Sequence, residues 1–235
     1  MRIHGWRARR SASLVAISLT FALAVCGVAA AATIVGDDND NNLTGTPQAD
    51  RIDAKGGNDT VAALAGPDRV LAGDGDDAVD AGPGHDRVLG GEGADAIAGG
   101  LKGDELLGQA GNDRLGGGEG RDLVRGREGD DTEHGGTGAD VIYAGTGVDT
   151  AYGGPGPDMM FARAQADVAE PGTDTVHAGP GADTVFVRDG EADEVSCGAG
   201  RDLVFADDQD VVGRGCEQVR VGEPKPSDDA SEVGA

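Results

Sequence analysis

An aspartate recurs at every ninth position through the middle of this 235-residue chain: Asp50, Asp59, Asp68, Asp77, Asp86, Asp95, Asp104, Asp113, Asp122, Asp131, Asp140, Asp149 and Asp158. Asp183 and Asp202 stand in similar repeats further on. Carboxylates are hard oxygen donors. An array with neither Cys nor His at the repeating place suits calcium, which takes six or more oxygens at ~2.3–2.6 Å, over zinc or copper. Magnesium demands strict octahedral geometry and holds its water, so a roomy backbone cage disfavours it. Aspartate also stabilises ordinary turns without any metal. Electrostatics separates the two readings. Carboxylates stacked ~5 Å apart repel by nearly 1 kcal/mol per pair even at the dielectric constant of water, and by more where water is excluded. A ladder of such pairs needs cations between its rungs, so all of these aspartates are expected to be ligands of several calcium ions.

The elements that must position them are legible in the rest of the repeat. A representative unit is Gly90-Gly91-Glu92-Gly93-Ala94-Asp95-Ala96-Ile97-Ala98, with glycine at places one, two and four, aspartate at six and an aliphatic residue at eight. The glycine-rich six residues form a turn that needs positive φ and close backbone approach. The last three form a short strand, in which side chains alternate and only the eighth place faces inward. Leu43, Ile52, Val61, Val70, Val79, Val88, Ile97, Leu106, Leu115, Val124, Ile142 and Met160 fill twelve of the fourteen such places between 36 and 161, and Glu133 and Ala151 are the exceptions. Two units close one coil of 18 residues, so the expected fold is all-β: a parallel β-roll, or β-solenoid, of stacked coils spaced ~4.8 Å apart. Asp59, Asp77 and Asp95 then line one edge while Asp68, Asp86 and Asp104 line the other. A cation between two coils reaches carboxylates and turn carbonyls of both.

The nonapeptide G-G-x-G-x-D-x-U-x resembles the calcium-binding repeat of RTX, or hemolysin-type, proteins. The resemblance implies calcium held by the aspartate of one hexad with carbonyl oxygens from it and from the next coil. Many RTX proteins join such repeats to a protease, lipase or toxin domain and carry an uncleaved C-terminal secretion signal. Here repeats fill nearly the whole mature chain and the export signal is N-terminal, so the resemblance reaches the calcium module and no hydrolase or toxin activity. Lys102 in place of a fourth-position glycine, and Gln109 and Arg127 in place of second-position ones, mark turns expected to bind weakly. Arg69, Arg87, Arg114 and Arg121 are expected on solvated faces.

Composition bounds the remainder. The net charge is -24 and aromatics make up 3%, which disfavours nucleic acid and anionic membranes as partners and excludes a conventional globular core. Residues 1–32 read as a signal peptide, with arginines Arg2 to Arg10 followed by an apolar run and small residues, in preference to a membrane anchor; no stable membrane insertion is expected once it is removed. Residues 33–161 are the regular calcium-binding repeats, 162–177 an irregular coil or loop in which Asp167 keeps phase, 178–221 degenerate repeats and a C-terminal cap, and 222–235 a disordered tail. Cys197 and Cys216 lie nineteen apart, one coil plus one residue, which places them for a disulfide; a free redox pair is the alternative, without C-x-x-C spacing.

The expected function is a secreted, extracellular calcium-binding protein that folds on binding calcium and serves as a structural, spacer or adhesive module toward a protein or polysaccharide. The alternative is a polysaccharide-modifying or hydrolytic enzyme on a β-helix surface. No enzyme is expected, because His85, His134 and His177 have no partner spacing that marks a nucleophile or triad. Ice binding by a threonine array is not expected either, since the outward seventh places run Thr60, Arg69, Ala78, Arg87, Ala96, Glu105, Arg114.

Overall fold

The protein is described by a computed structural model covering residues 30–162, 172–213 and 215–223. The described residues form strands and turns in two parallel sheets of eleven and ten strands. Successive strands alternate between the sheets, so each pairs with the strand two ahead. Within the regular repeats the register is 18 residues, as in Ile52 beside Val70 and Val70 beside Val88, and Val61 beside Val79 and Val79 beside Ile97. This is the β-roll that the nine-residue period dictates.

The core lies between the sheets and is continuous along the roll. Ile52, Val70, Val88, Leu106, Val124, Ile142 and Met160 come from one side, and Leu43, Val61, Val79, Ile97 and Leu115 from the other. All twelve aliphatic residues expected to face inward are buried. One expectation needs correction. Many strands do not end after three residues: Ala78–Pro83, for example, continues into the next turn, burying both Val79 and Ala81. The first place of the hexad is therefore inward as well as the eighth, held by Ala54, Ala63, Ala72, Ala81, Ala144 and Ala178 or by glycine. Two residues apart on an extended chain, the two places share a face.

The turn follows at places two and four, where Gly91 and Gly93 have φ of 134° and 124°. A methyl group on Gly91 would collide with the Gly73 carbonyl oxygen one coil below, so glycine here serves packing as well as φ. Lys55, Gln109 and Arg127 at place two, and Lys102 at place four, take the same left-handed conformation at φ 88°, 93°, 94° and 75°. Each bears a cost of order 1–2 kcal/mol. Arg69, Arg87, Arg114 and Arg121 are exposed, and Arg87 pairs with Glu105 at 2.9 Å.

Toward the C-terminus, the strand Thr175–Gly181 pairs with both Thr150–Tyr152 and Glu194–Gly200. Register survives while the spacing changes: Thr150 lies beside Thr175, 25 residues on. The extra seven residues fall between Asp158 and Asp174. Most of the expected irregular coil, including Asp167, lies outside the described residues, as do most of the expected signal peptide and the tail beyond 223. Cys197 and Cys216 are disulfide-bonded with Cα atoms 5.1 Å apart, joining the strand Glu194–Gly200 to the final segment.

On the outer face of the eleven-stranded sheet, Tyr143, Phe161, Phe186 and Phe205 stack with centroids 4.6–4.8 Å apart. Arg125 lies 5.3 Å over Tyr143 at one end of this column and Arg220 lies 5.4 Å over Phe205 at the other. Phe161, Phe186 and Phe205 are buried.

Candidate metal centre

Each repeat aspartate precedes a strand and turns its carboxyl inward, away from solvent. One oxygen is committed to the backbone, since Oδ1 accepts the N–H of the aspartate one coil before. Asp50 donates to Asp68 at 2.7 Å, Asp68 to Asp86 at 2.7 Å, Asp86 to Asp104 at 2.8 Å, and so on through Asp122, Asp140, Asp158, Asp183 and Asp202. The second ladder begins at Asn41, whose N–H donates to Asp59, and runs through Asp77, Asp95, Asp113, Asp131 and Asp149. It then continues through Asp174 and Asp193 to Asp210. The two edges expected from the sequence are these two ladders.

The other oxygen is the chemically informative one. Oδ2 of Asp59, Asp68, Asp77, Asp86, Asp95, Asp104, Asp113, Asp122, Asp131, Asp140, Asp149, Asp158, Asp183, Asp193 and Asp202 is buried without a hydrogen-bond partner. Asp50, in the first coil, differs, because its Oδ2 accepts the Thr46 N–H at 2.5 Å. A buried carboxylate oxygen with nothing to bind is costly. Burial accordingly pushes the carboxyls of Asp59, Asp68, Asp77, Asp86, Asp95, Asp104, Asp113, Asp122, Asp131, Asp140, Asp149, Asp158, Asp183 and Asp193 up, and at Asp95, Asp104 and Asp131 the neighbouring rungs add to the effect. Asp95 and Asp104 rise to about 7, Asp131 and Asp193 to about 8, and Asp174 to about 9.

The backbone supplies the missing complement. A methyl group on Gly99, the first residue of its hexad, would lie 2.7 Å from both Asp104 Oδ2 and the Gly117 carbonyl oxygen; on Gly117 it would lie 2.5 Å from both Asp122 Oδ2 and the Gly135 carbonyl oxygen. The absent side chain thus leaves a space bounded by a carboxylate of one coil and a carbonyl of the next, close to calcium–oxygen distances of ~2.3–2.6 Å. Gly135, Gly90 and Gly153 repeat the arrangement. A lone hydrogen-bond donor could serve one such oxygen, but a row of them without neutralisation calls for cations. The donor set therefore fits calcium.

Asp174, Asp193 and Asp210 belong to the ladder although the nine-residue count passes over them. The D-x-U triplet reveals them: Asp174-Thr175-Val176, Asp193-Glu194-Val195 and Asp210-Val211-Val212 each place an aliphatic residue two after the aspartate. The threonine pattern also changes beyond Arg114: Thr132, Thr150 and Thr175 lie in register on three neighbouring strands, flanked by Arg114 and Glu194.

Fold and site together define a calcium-binding β-roll protein. The sequence profile of the RTX calcium-binding nonapeptide repeat (4 copies) matches overlapping stretches at 35–70, 53–88, 71–101, 89–124, 98–133, 125–160, 134–169 and 168–204, and the chain belongs to that family. No curated protein matches the chain in sequence. Among solved structures, it is similar in fold to a hyperactive, Ca2+-dependent, beta-helical antifreeze protein from an Antarctic bacterium, with a TM-score of 0.57 and 20% identity over 78% of this chain and 70% of that one.

Proposed function

We propose that the protein is an exported, extracellular, non-catalytic module whose coils order when calcium fills the two aspartate ladders, and that it serves as a spacer or adhesive element. The observation that carries this reading is the row of buried, unpartnered Oδ2 atoms facing carbonyls of the next coil. The ligands are the repeat aspartates from Asp50 to Asp158 with Asp183 and Asp202, joined by Asp174, Asp193 and Asp210.

Without cations, each coil gains the burial of a few small aliphatic side chains, which is outweighed by the ordering entropy of its glycines and the repulsion along the ladders. Calcium binding energy then becomes folding energy. Because one ion touches two coils, filling one site helps order the next, and folding is cooperative in calcium. The histidines have structural uses consistent with a non-catalytic role. His134 and His177 stack on Tyr152 at 4.5 and 4.9 Å, and His85 Nδ1 meets the Gly103 carbonyl oxygen at 2.8 Å.

The test is far-ultraviolet circular dichroism and hydrodynamic radius of the mature chain in chelator, calcium and magnesium. The expected result is an expanded, β-poor chain in chelator, a compact β-rich one in calcium with a sigmoidal transition, and much less effect of magnesium. A compact β-rich chain in chelator would make calcium incidental.

A further inference from the structure

Glu133 is the one charged residue at an eighth place among the regular coils, where the strand Thr132–Gly138 points its side chain into the core. It is fully buried, and neither carboxylate oxygen has a hydrogen-bond partner. Its in-register neighbours are Leu115 in the coil before and Ala151 in the coil after. The two departures from the aliphatic pattern are therefore adjacent, a long acid lying against the smallest inward residue of the series.

The acid is aimed at the ladder. Asp131, Glu133 and Asp149 each offer an oxygen, and the three lie within 4.8 Å of one another. Two oxygens bound to one calcium at ~2.4 Å can be no farther apart than about twice that distance, so the spacing meets the condition for the three to share one ion. The space beside Gly126 has the same composition as the others, Asp131 Oδ2 with the Ala144 carbonyl oxygen of the next coil, but Glu133 Oε1 also reaches it. The corresponding space beside Gly117 is bounded by Asp122 and Gly135.

We propose that Glu133, with Asp131, Asp149 and the Ala144 carbonyl, forms a calcium site inside the roll that differs from the turn sites in having a core carboxylate, and that it is the tightest site of the chain. This site presupposes the calcium-filled ladders proposed for the protein as a whole. Ligand charge is the main lever by which oxygen sites tune calcium affinity, and burial on all sides removes the competing water. Mere tolerance of a core acid is the rival, and it carries a large desolvation penalty with nothing in return.

The test is isothermal titration of the chelator-treated mature chain with calcium, for wild type, Glu133→Leu and Glu133→Gln. Leucine restores the residue type of the preceding coil and glutamine keeps the shape without the charge, so if one variant fails to fold, the other carries the test. The expected result is loss of one calcium per chain, or weakening of the tightest class by tenfold or more, with the remaining sites and the calcium-induced β signal retained. Unchanged stoichiometry and affinity in a folded variant, with a higher melting temperature for Glu133→Leu, would overturn this site and leave the ladder reading intact. A wild-type chain that takes up no calcium would overturn both.

Discussion

Between Asp50 and Asp158 the roll consists of near-identical glycine-turned coils, whereas from Asp174 to Val221 the same sheets continue with different support. In the first region each coil buries a few small aliphatic side chains and a pair of carboxyls. In the second, Phe186 and Phe205 extend the aromatic column, Arg188 donates to the Arg220 carbonyl oxygen at 2.7 Å, and a disulfide ties the final segment down. Both regions carry the ladders, so the difference lies in the packing and the covalent link around them. Where ordinary packing and a covalent link are present, order has a second source; where they are lacking, the proposed function makes order depend on neutralising the aspartates.

Hydrogen exchange in chelator puts this contrast to its most severe trial. Amides between 50 and 158 are expected to lose protection almost completely, while those of Thr184–Phe186 and Leu203–Ala206 keep a measurable part of theirs. Uniform loss along the chain would remove the distinction.

Within the regular region, Val88→Asp should cost several kcal/mol, because Val88 is fully buried and a new carboxylate there has no cation site built for it. Arg87→Asp, on the exposed face, should stay within about 1 kcal/mol, its ion pair with Glu105 lying near solvent. Calcium midpoints and melting of the two variants provide the measurement, and equal shifts would contradict the strand register.

In the C-terminal region, Cys197→Ser should lower the stability of the terminal coils by about 3 kcal/mol, from the loop of roughly twenty residues it opens. Calcium-loaded thermal unfolding followed by exchange at Leu203–Ala206 reads it, and the coils near Asp77 should be unaffected.

A further effect is that of pH on the calcium-free chain. Burial raises Asp68, Asp113 and Asp122 to about 6 and Asp95 and Asp104 to about 7 in the coil, against 3.8 ordinarily. Over that interval the coil binds more protons than the unfolded chain, so its stability falls as pH rises from about 4 to 7. In chelator the β signal should therefore be greater at pH 4 than at pH 8. With calcium present the order should reverse, since protons then compete with the metal.

Much of this architecture is legible in the sequence because stacking converts distance along the chain into adjacency: 18 residues separate Asp77 from Asp95 and one hydrogen bond joins them. The same logic explains what is hidden. Seven inserted residues disturb the count without disturbing the stacking, so Asp174 drops out of phase yet accepts the Asp149 N–H at 2.8 Å. Inward places held by Ala54 or Gly90 carry no hydrophobic signal, since alanine and glycine are at home on either face. Glu133 is visible as an exception to the aliphatic series, but only the fold reveals that its carboxyl meets Asp131 and Asp149.

The order of strands within the sheets has a mechanical consequence. Thr33–Val35 and Gln218–Val221 are the two ends of the eleven-stranded sheet, so tension applied through the chain termini loads the outermost coils first and peels them away one at a time. A coil that occupies ~4.8 Å of the stack releases about 60 Å of extended chain when it opens. Under load each coil that opens would lengthen to more than ten times its share of the stack, except the one that the Cys197–Cys216 bridge holds closed, and on the proposed function the free calcium concentration would set the force at which each lets go.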